Sequence, residues 1–153
     1  MKKYFDGLAI LVSTAWVGGM CVVGYLVTPV LFQGIPDKAL AGVVAGKIFS
    51  VMAIMGMVCA VYLLLYQFMR QGKQVLRQVV FWLVLVMLLF TLLGHFGIQP
   101  LLADLKTQAL PAYVMESLFA DRFKFWHGAA SVIFLVQSLL GAVLLLKIWA
   151  VIK

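Results

Sequence analysis

The sequence predicts an all-α integral membrane protein built as a bundle of four membrane-spanning helices. Of its 153 residues, 65% are hydrophobic and 11% are charged, and the mean hydropathy is +1.12. A soluble domain is about half apolar and about a quarter charged. Four long stretches contain no Asp, Glu, Lys or Arg: residues 7–36, 48–69, 78–103 and 125–146. Each exceeds the roughly 20 residues that cross a bilayer as a helix, the structure in which a single spanning segment satisfies its own backbone.

These stretches predict four spans in a single domain, residues 1–153. The spans cover residues about 8–32, 48–69, 79–98 and 127–149. Pro29 and Pro100 favour a bend or a stop near the ends of the first and third spans, because proline removes a helical hydrogen bond. Small residues permit close helix packing in lipid. The predicted packing glycines are Gly18 and Gly19 in the first span and Gly42 and Gly46 ahead of the second.

An additional amphipathic helix is predicted just before the fourth span. From Tyr113 onward, apolar residues recur at helical spacing as far as Trp126, with polar residues between them. This pattern is typical of a helix at the membrane interface that continues into the fourth span. Pro111 would lie in its first turn, where proline is tolerated.

Charge distribution predicts that both termini lie in the cytoplasm. The formal charge of +7 is scattered between apolar spans and forms no motif for DNA or RNA, so no nucleic-acid partner is predicted. Cytoplasmic loops collect Lys and Arg. With the N-terminus inside, the inner segments contain seven basic residues and one acidic residue: Lys2, Lys3, Arg70, Lys73, Arg77, Lys147 and Lys153, and Asp6. The outer segments contain five basic and four acidic residues: Lys38, Lys47, Lys106, Arg122 and Lys124, and Asp37, Asp104, Glu116 and Asp121. The predicted location is the inner (plasma) membrane.

This topology brings both histidines to the outer face. The third span runs outward and ends near His95, and the fourth runs inward from His127. Gln99 and Lys47 lie at a similar depth, and Ser131 is one turn after His127 on the same helical face. Lys47 can extend its ammonium to the headgroups or turn inward toward an anionic or carbonyl-bearing ligand. These five residues form the predicted ligand-binding site.

Several uses of the two histidines stay open. Each ring can simply bond a carbonyl or water at the interface. His95 and His127 could alternatively be the two axial ligands of one haem b. Copper is a further alternative, because histidine and thioether bind Cu(I) and five methionines, Met20, Met52, Met55, Met57 and Met69, lie in the first two spans. No span contains a carboxylate and no catalytic motif occurs, which favours a protein that is not an enzyme.

Four short motifs follow one another along the chain. They are Trp16-x-Gly18-Gly19 with Pro29-x-x-Phe32, Ala41-Gly42-x-x-x-Gly46-x-x-Phe49, Ile98-x-Pro100, and Phe123-x-x-x-His127-Gly128-x-x-Ser131. In this order they resemble the domain of unknown function 4149 family, which includes relatives of transmembrane protein 205. The resemblance implies a small four-helix membrane protein and names no reaction. The layout is more distantly similar to copper-resistance D proteins and HemJ-type protoporphyrinogen oxidases, small helical membrane proteins with functional histidines.

The sequence therefore favours a small multi-pass membrane protein that binds a small ligand or lipid headgroup between helices at its outer face. The alternatives are a haem b redox protein, a copper-handling protein and a structural subunit whose glycine-rich spans pack against another membrane protein. A homo-oligomer is compatible with the same glycine-rich surfaces.

Overall fold

Four long helical spans account for the structure, a computed structural model that describes residues 2–110 and 113–152 and the side chains of residues 4–110 and 113–150. Span 1 consists of α1 (Lys2–Val22), a π-helical turn (Val23–Val27) and α2 (Thr28–Gly34), and span 2 consists of α3 (Lys38–Gln71) followed by a 3-10 turn (Gly72–Arg77). Span 3 consists of α4 (Val79–Leu92), a π-helical turn (Leu93–Ile98) and α5 (Gln99–Ala109). Span 4 is the single helix α6 (Ala120–Ile152). All four are long and apolar enough to cross a membrane. The chain is thus an all-α, multi-pass membrane protein.

The spans form an up-down-up-down bundle. Each span packs on the next in sequence, and α6 returns to pack on α1. Because short connections join antiparallel neighbours, one end of the bundle contains Asp6 and Arg70, and the other contains Gly42 and Lys106. The core is almost entirely apolar, and its largest fully buried side chains are Trp16, Leu63, Met87 and Leu144.

Local chemistry sets both ends of α3. The Asp37 carboxylate accepts hydrogen bonds from the backbone N–H groups of Ala39 (2.9 Å) and Leu40 (3.1 Å), which caps the start of the helix at Lys38. Gly72 ends it with a φ of +55°, a conformation that favours glycine.

Pro29 and Pro100 do not stop their helices. Each follows a π-helical turn and lies in the first turn of the next α-helix, so helical structure continues to Gly34 and Ala109. In a regular α-helix a proline ring clashes with the carbonyl four residues earlier. The wider π turn immediately before each proline relieves this restriction. Span 3 consequently continues well past residue 98, where the sequence-based boundary lay.

The segment before span 4 is only partly the predicted amphipathic helix. Val114–Glu116 form a 3-10 turn, and the α-helix begins at Ala120. The Ser117 hydroxyl donates to the Val114 carbonyl (2.8 Å) and accepts from the Phe119 N–H (3.2 Å), an alternative to helical bonding. The apolar side of this segment packs on α5 in a small cluster formed by Leu105, Ala109, Val114 and Phe123. Pro111 lies outside the described residues.

The tightest helix contacts use glycines that differ from the predicted ones. A Cβ atom at Gly56 would lie 2.6 Å from Trp16 Nε1, and one at Gly141 would lie 2.9 Å from Val17 Cγ1. Gly24 likewise receives the ring of Phe134. Of the four predicted packing glycines, Gly19 contacts Met52 and Met55, and Gly42 contacts Lys106, whereas Gly18 and Gly46 have open space at the Cβ position.

Polar groups inside the bundle are mostly paired within the chain. Gln137 Nε2 donates to Thr91 Oγ1 (2.7 Å) and to the Met87 carbonyl (3.3 Å), which joins spans 3 and 4 near mid-membrane. At one end, Arg70 forms an ion pair with Asp6 (3.2 Å), and the Tyr66 hydroxyl donates to the same carboxylate. This cluster of Asp6, Tyr66 and Arg70 joins spans 1 and 2.

Candidate functional site

Two side chains of α5 reach the backbone of α3 at the glycine pair. Gln99 Nε2 donates to the Gly46 carbonyl (2.6 Å), and Lys106 Nζ donates to the Gly42 carbonyl (3.0 Å). Glycine carries no side chain that would cover these carbonyls, and a carbonyl oxygen has a second lone pair beyond its helical bond. The Gly42 and Gly46 positions therefore provide two acceptors that attach span 3 to span 2.

The Lys106 ammonium of α5 is partly buried between α3 and α6. Besides the Gly42 carbonyl, it lies 5.8 Å from the centroid of the Phe123 ring, a cation–π distance. The His127 ring stacks on the same Phe123 ring, with the two centroids 5.6 Å apart and the ring planes at 8° to each other. We call the residues Gly42, Lys106, Phe123 and His127 the lysine site.

No carboxylate neutralises Lys106 among residues 4–110 and 113–150. The ion pairs in that part of the chain are Asp6–Arg70 and Asp121–Lys124. An ammonium has three donors, and the bond to Gly42 uses one of them. The lysine site therefore presents a positive charge with donors to spare, and the imidazole of His127 contacts the same phenyl ring as the ammonium. Such an arrangement is suited to an anionic group.

His95 contacts Gln99, whose side chain bonds the Gly46 carbonyl, and does not belong to the lysine site. Its Nδ1 lies 3.1 Å from Gln99 Oε1, and its ring makes an edge contact with Phe96. Because the amide oxygen only accepts, this contact requires a proton on Nδ1. His95 thus orients Gln99 toward Gly46. The contacts of the two imidazoles within the described chain are separate: Gln99 and Phe96 for one, Phe123 for the other.

The remaining predicted site residues lie apart from these contacts. The exposed Ser131 hydroxyl donates to the His127 carbonyl (2.8 Å), a bond within one helix. Lys47 lies on the side of α3 next to Val23 of span 1, where it borders an apolar groove. The structure therefore brings His95 and Gln99 together, places His127 against the Phe123 ring that Lys106 also contacts, and leaves Lys47 on another side of α3.

Lys106 and Phe123 were missed as site residues by the sequence reasoning. With span 3 ending near residue 98, Lys106 belonged to a loop and had no defined direction. A usable signal was the seven-residue spacing between Gln99 and Lys106, which places both on one side if the helix continues past Pro100. Within the described residues, no three His, Cys, Asp or Glu side chains are grouped as a metal site would require.

The opposite end of the bundle contains a second, much smaller polar feature. A cavity of about 10 Å³ lies among spans 2, 3 and 4, with Gln67, Gln78 and Ile148 in its lining. The Gln67 amide nitrogen is buried and has no hydrogen-bond partner among the described residues. This volume suits about one water molecule, so the lysine site is the better candidate for a ligand.

Comparison with known proteins identifies the family. No curated protein and no solved structure matches the chain. The sequence model described as "Domain of unknown function (DUF4149)" matches residues 11–111, about two thirds of the chain. The matched region includes Gly42, Gly46, Gln99 and Lys106, whereas Phe123 and His127 lie beyond it. On this match, the chain belongs to the DUF4149 family.

Proposed function

We propose that this membrane protein binds the anionic headgroup of a lipid at the lysine site, between α3, α5 and α6. The observation that supports the proposal is the Lys106 ammonium: it is half-buried, and its polar contacts within the described chain are a backbone carbonyl and an aromatic ring, with no carboxylate. Burial of an unpaired charge is unfavourable. A phosphate or carboxylate next to Lys106 would compensate for that cost.

Each neighbouring residue has a distinct proposed role. Lys106 supplies the charge, and His127, which stacks on Phe123, adds a ring N–H donor. Phe123 forms the apolar wall between them and limits water access. Gln99 and His95 act as positioning residues, because they hold α5 against the Gly46 carbonyl. Ser131 lies one turn from His127 and can donate to a headgroup that extends along α6.

The site is proposed to face outward from the inner membrane. This orientation depends on the excess of Lys and Arg in the segments assigned to the cytoplasm. In that orientation the Asp6 end of the bundle faces the cytoplasm, and the lysine site lies at the outer headgroup level. A headgroup can reach it from the outer leaflet without entering the hydrocarbon.

Replacing Lys106 tests the proposal. In nanodiscs of phosphatidylcholine with a minor fraction of phosphatidylglycerol, native mass spectrometry should detect retained phosphatidylglycerol on the unmodified protein. Lys106→Gln should retain about 10–100-fold less, since a hydrogen bond to a charged group contributes about 1.5–3 kcal/mol. The matched control is Lys124→Gln, at an exposed lysine that pairs with Asp121. Equal retention by Lys106→Gln and Lys124→Gln would contradict the proposal.

Two further experiments separate headgroup binding from a soluble anion and from haem b. Inorganic phosphate that displaces the lipid would indicate a soluble anion as the ligand. An absorption spectrum of the purified protein addresses the haem b hypothesis, which requires a Soret band that is lost in both His95→Ala and His127→Ala. The contacts of these histidines favour neither haem nor copper over headgroup binding.

A further inference from the structure

A second feature at the Lys106 end of the bundle is separate from the lysine site. A groove of about 320 Å³ runs along spans 1 and 2. It is lined by Val23, Lys47, Ile48, Val51, Met52 and Met55. Five of these six residues are apolar, and the sixth is a lysine. The groove is therefore an open, hydrophobic surface groove with one positive charge at its lining.

The charge and the apolar lining occupy different depths. Lys47 directly precedes the uncharged stretch 48–69, which is long enough to span the hydrocarbon. From Lys47 to Met55 the helix advances about 12 Å. The lysine thus lies at the boundary between headgroups and hydrocarbon, and the lining extends from it toward the middle of the membrane. This order matches that of a phospholipid, with its phosphate above its acyl chains.

The methionines give the groove a floor that can adapt. Gly19 of span 1 lets the Met52 and Met55 methyl groups approach closely: a Cβ atom at Gly19 would lie 3.2 Å and 3.3 Å from them. Methionine is flexible and fits irregular apolar shapes. An acyl chain, which is itself flexible, can therefore pack along this floor without one fixed conformation.

The Lys47 ammonium is available to a ligand. It has neither an ion pair nor a hydrogen bond to any residue in the described part of the chain. The Gly42 and Gly46 carbonyls bond to α5, whereas Lys47 borders Val23 of span 1. The groove and the lysine site consequently lie on different sides of α3, and one headgroup does not serve both.

We propose that the groove binds one anionic phospholipid, with an acyl chain along Val51, Met52 and Met55 and its phosphate paired with Lys47. The charge selects anionic over zwitterionic headgroups, and the apolar lining holds the chain. This lipid would be retained independently of the ligand at the lysine site, because none of the groove residues contributes to that site.

The test measures lipid retention with the lysine site inactivated. In the Lys106→Gln background, Lys47→Gln should lower retention of phosphatidylglycerol relative to phosphatidylcholine about fivefold, as expected for one interfacial cation. Lys47→Arg should restore the preference. Lys73→Gln, at an exposed lysine in the 3-10 turn at the opposite end, is the matched control and should leave retention unchanged.

The apolar part of the groove has its own variant. Val51→Trp fills the groove while Lys47 stays in place, and it should lower retention of both lipids. Unchanged preference in Lys47→Gln, an equal loss in Lys73→Gln, or full retention in Val51→Trp would each overturn the proposal. Loss of lipid caused by Lys106→Gln in a protein that keeps Lys47 would report on the lysine site and not on the groove.

Discussion

Gly56→Ala is expected to lower the free energy of unfolding by about 1–3 kcal/mol, the usual cost of adding a methylene to a packed core. The new methyl carbon would lie 2.6 Å from Trp16 Nε1 and 3.3 Å from Trp16 Cδ1. Trp16 is only 1% exposed, so the indole is enclosed by neighbouring side chains and cannot move out into the lipid. Spans 1 and 2 would have to separate. Reversible unfolding in mixed detergent micelles, followed by tryptophan fluorescence, measures the change.

Two variants show whether the indole contact causes the loss. Gly18→Ala introduces the same methyl group in span 1, where no atom lies within 4 Å of the Cβ position. It should be neutral or stabilise by up to about 1 kcal/mol, because alanine is the better helix former. Trp16→Phe removes the atoms nearest Gly56 and should reduce the additional cost of Gly56→Ala. Equal stability of Gly56→Ala and Gly18→Ala would contradict this packing.

Arg70→Gln is expected to destabilise the bundle by about 1.5–3 kcal/mol, the range for hydrogen bonds to charged groups. Arg70 pairs with Asp6 at 3.2 Å and donates to the Tyr66 hydroxyl at 2.9 Å. The side chains of Arg70 and Asp6 are 24% and 15% exposed. Removing the guanidinium therefore leaves a poorly solvated carboxylate with only Tyr66 as a partner. The unfolding assay and a thermal melt in detergent both report the loss.

The exposed ion pair between Asp121 and Lys124 supplies the comparison. Asp121 is 98% exposed and lies 3.6 Å from Lys124, and exposed pairs contribute about 0–1 kcal/mol. Asp121→Asn should therefore change stability little. A double-mutant cycle with Asp6→Asn and Arg70→Gln should show strong coupling. Additive effects of those two changes would mean that the pair does not link spans 1 and 2.

The number and class of the helices could be predicted because they depend on local properties. Uncharged stretches of more than 20 residues predict four spans, whereas α3 begins ten residues before the predicted start of span 2, at the Asp37 cap. Each of these signals acts within one segment of the chain. The orientation of the bundle across the membrane stays a prediction from charge, since no contact of the described residues depends on it.

The contacts between segments could not be predicted to the same degree. Pro100 indicated a helix end because the π turn that accommodates it has no recognised pattern in the sequence. That boundary in turn hid Lys106, which needs the continuing helix to reach Gly42. Glycine alone does not reveal its partner either: Gly56 packs on Trp16, whereas Gly18 has open space beside it. Such pairings depend on how the helices are rotated about their axes.

Solid-state NMR of the protein in phosphatidylglycerol bilayers tests headgroup binding most directly. With lysine side chains labelled at 15Nζ, dipolar recoupling to 31P detects lysines in contact with lipid phosphorus. We expect 31P to reduce the Lys106 signal, which is identified by its absence from the spectrum of Lys106→Gln. The same 31P-dependent loss should persist in Lys124→Gln. A Lys106 signal that 31P leaves unchanged would contradict headgroup binding at the lysine site.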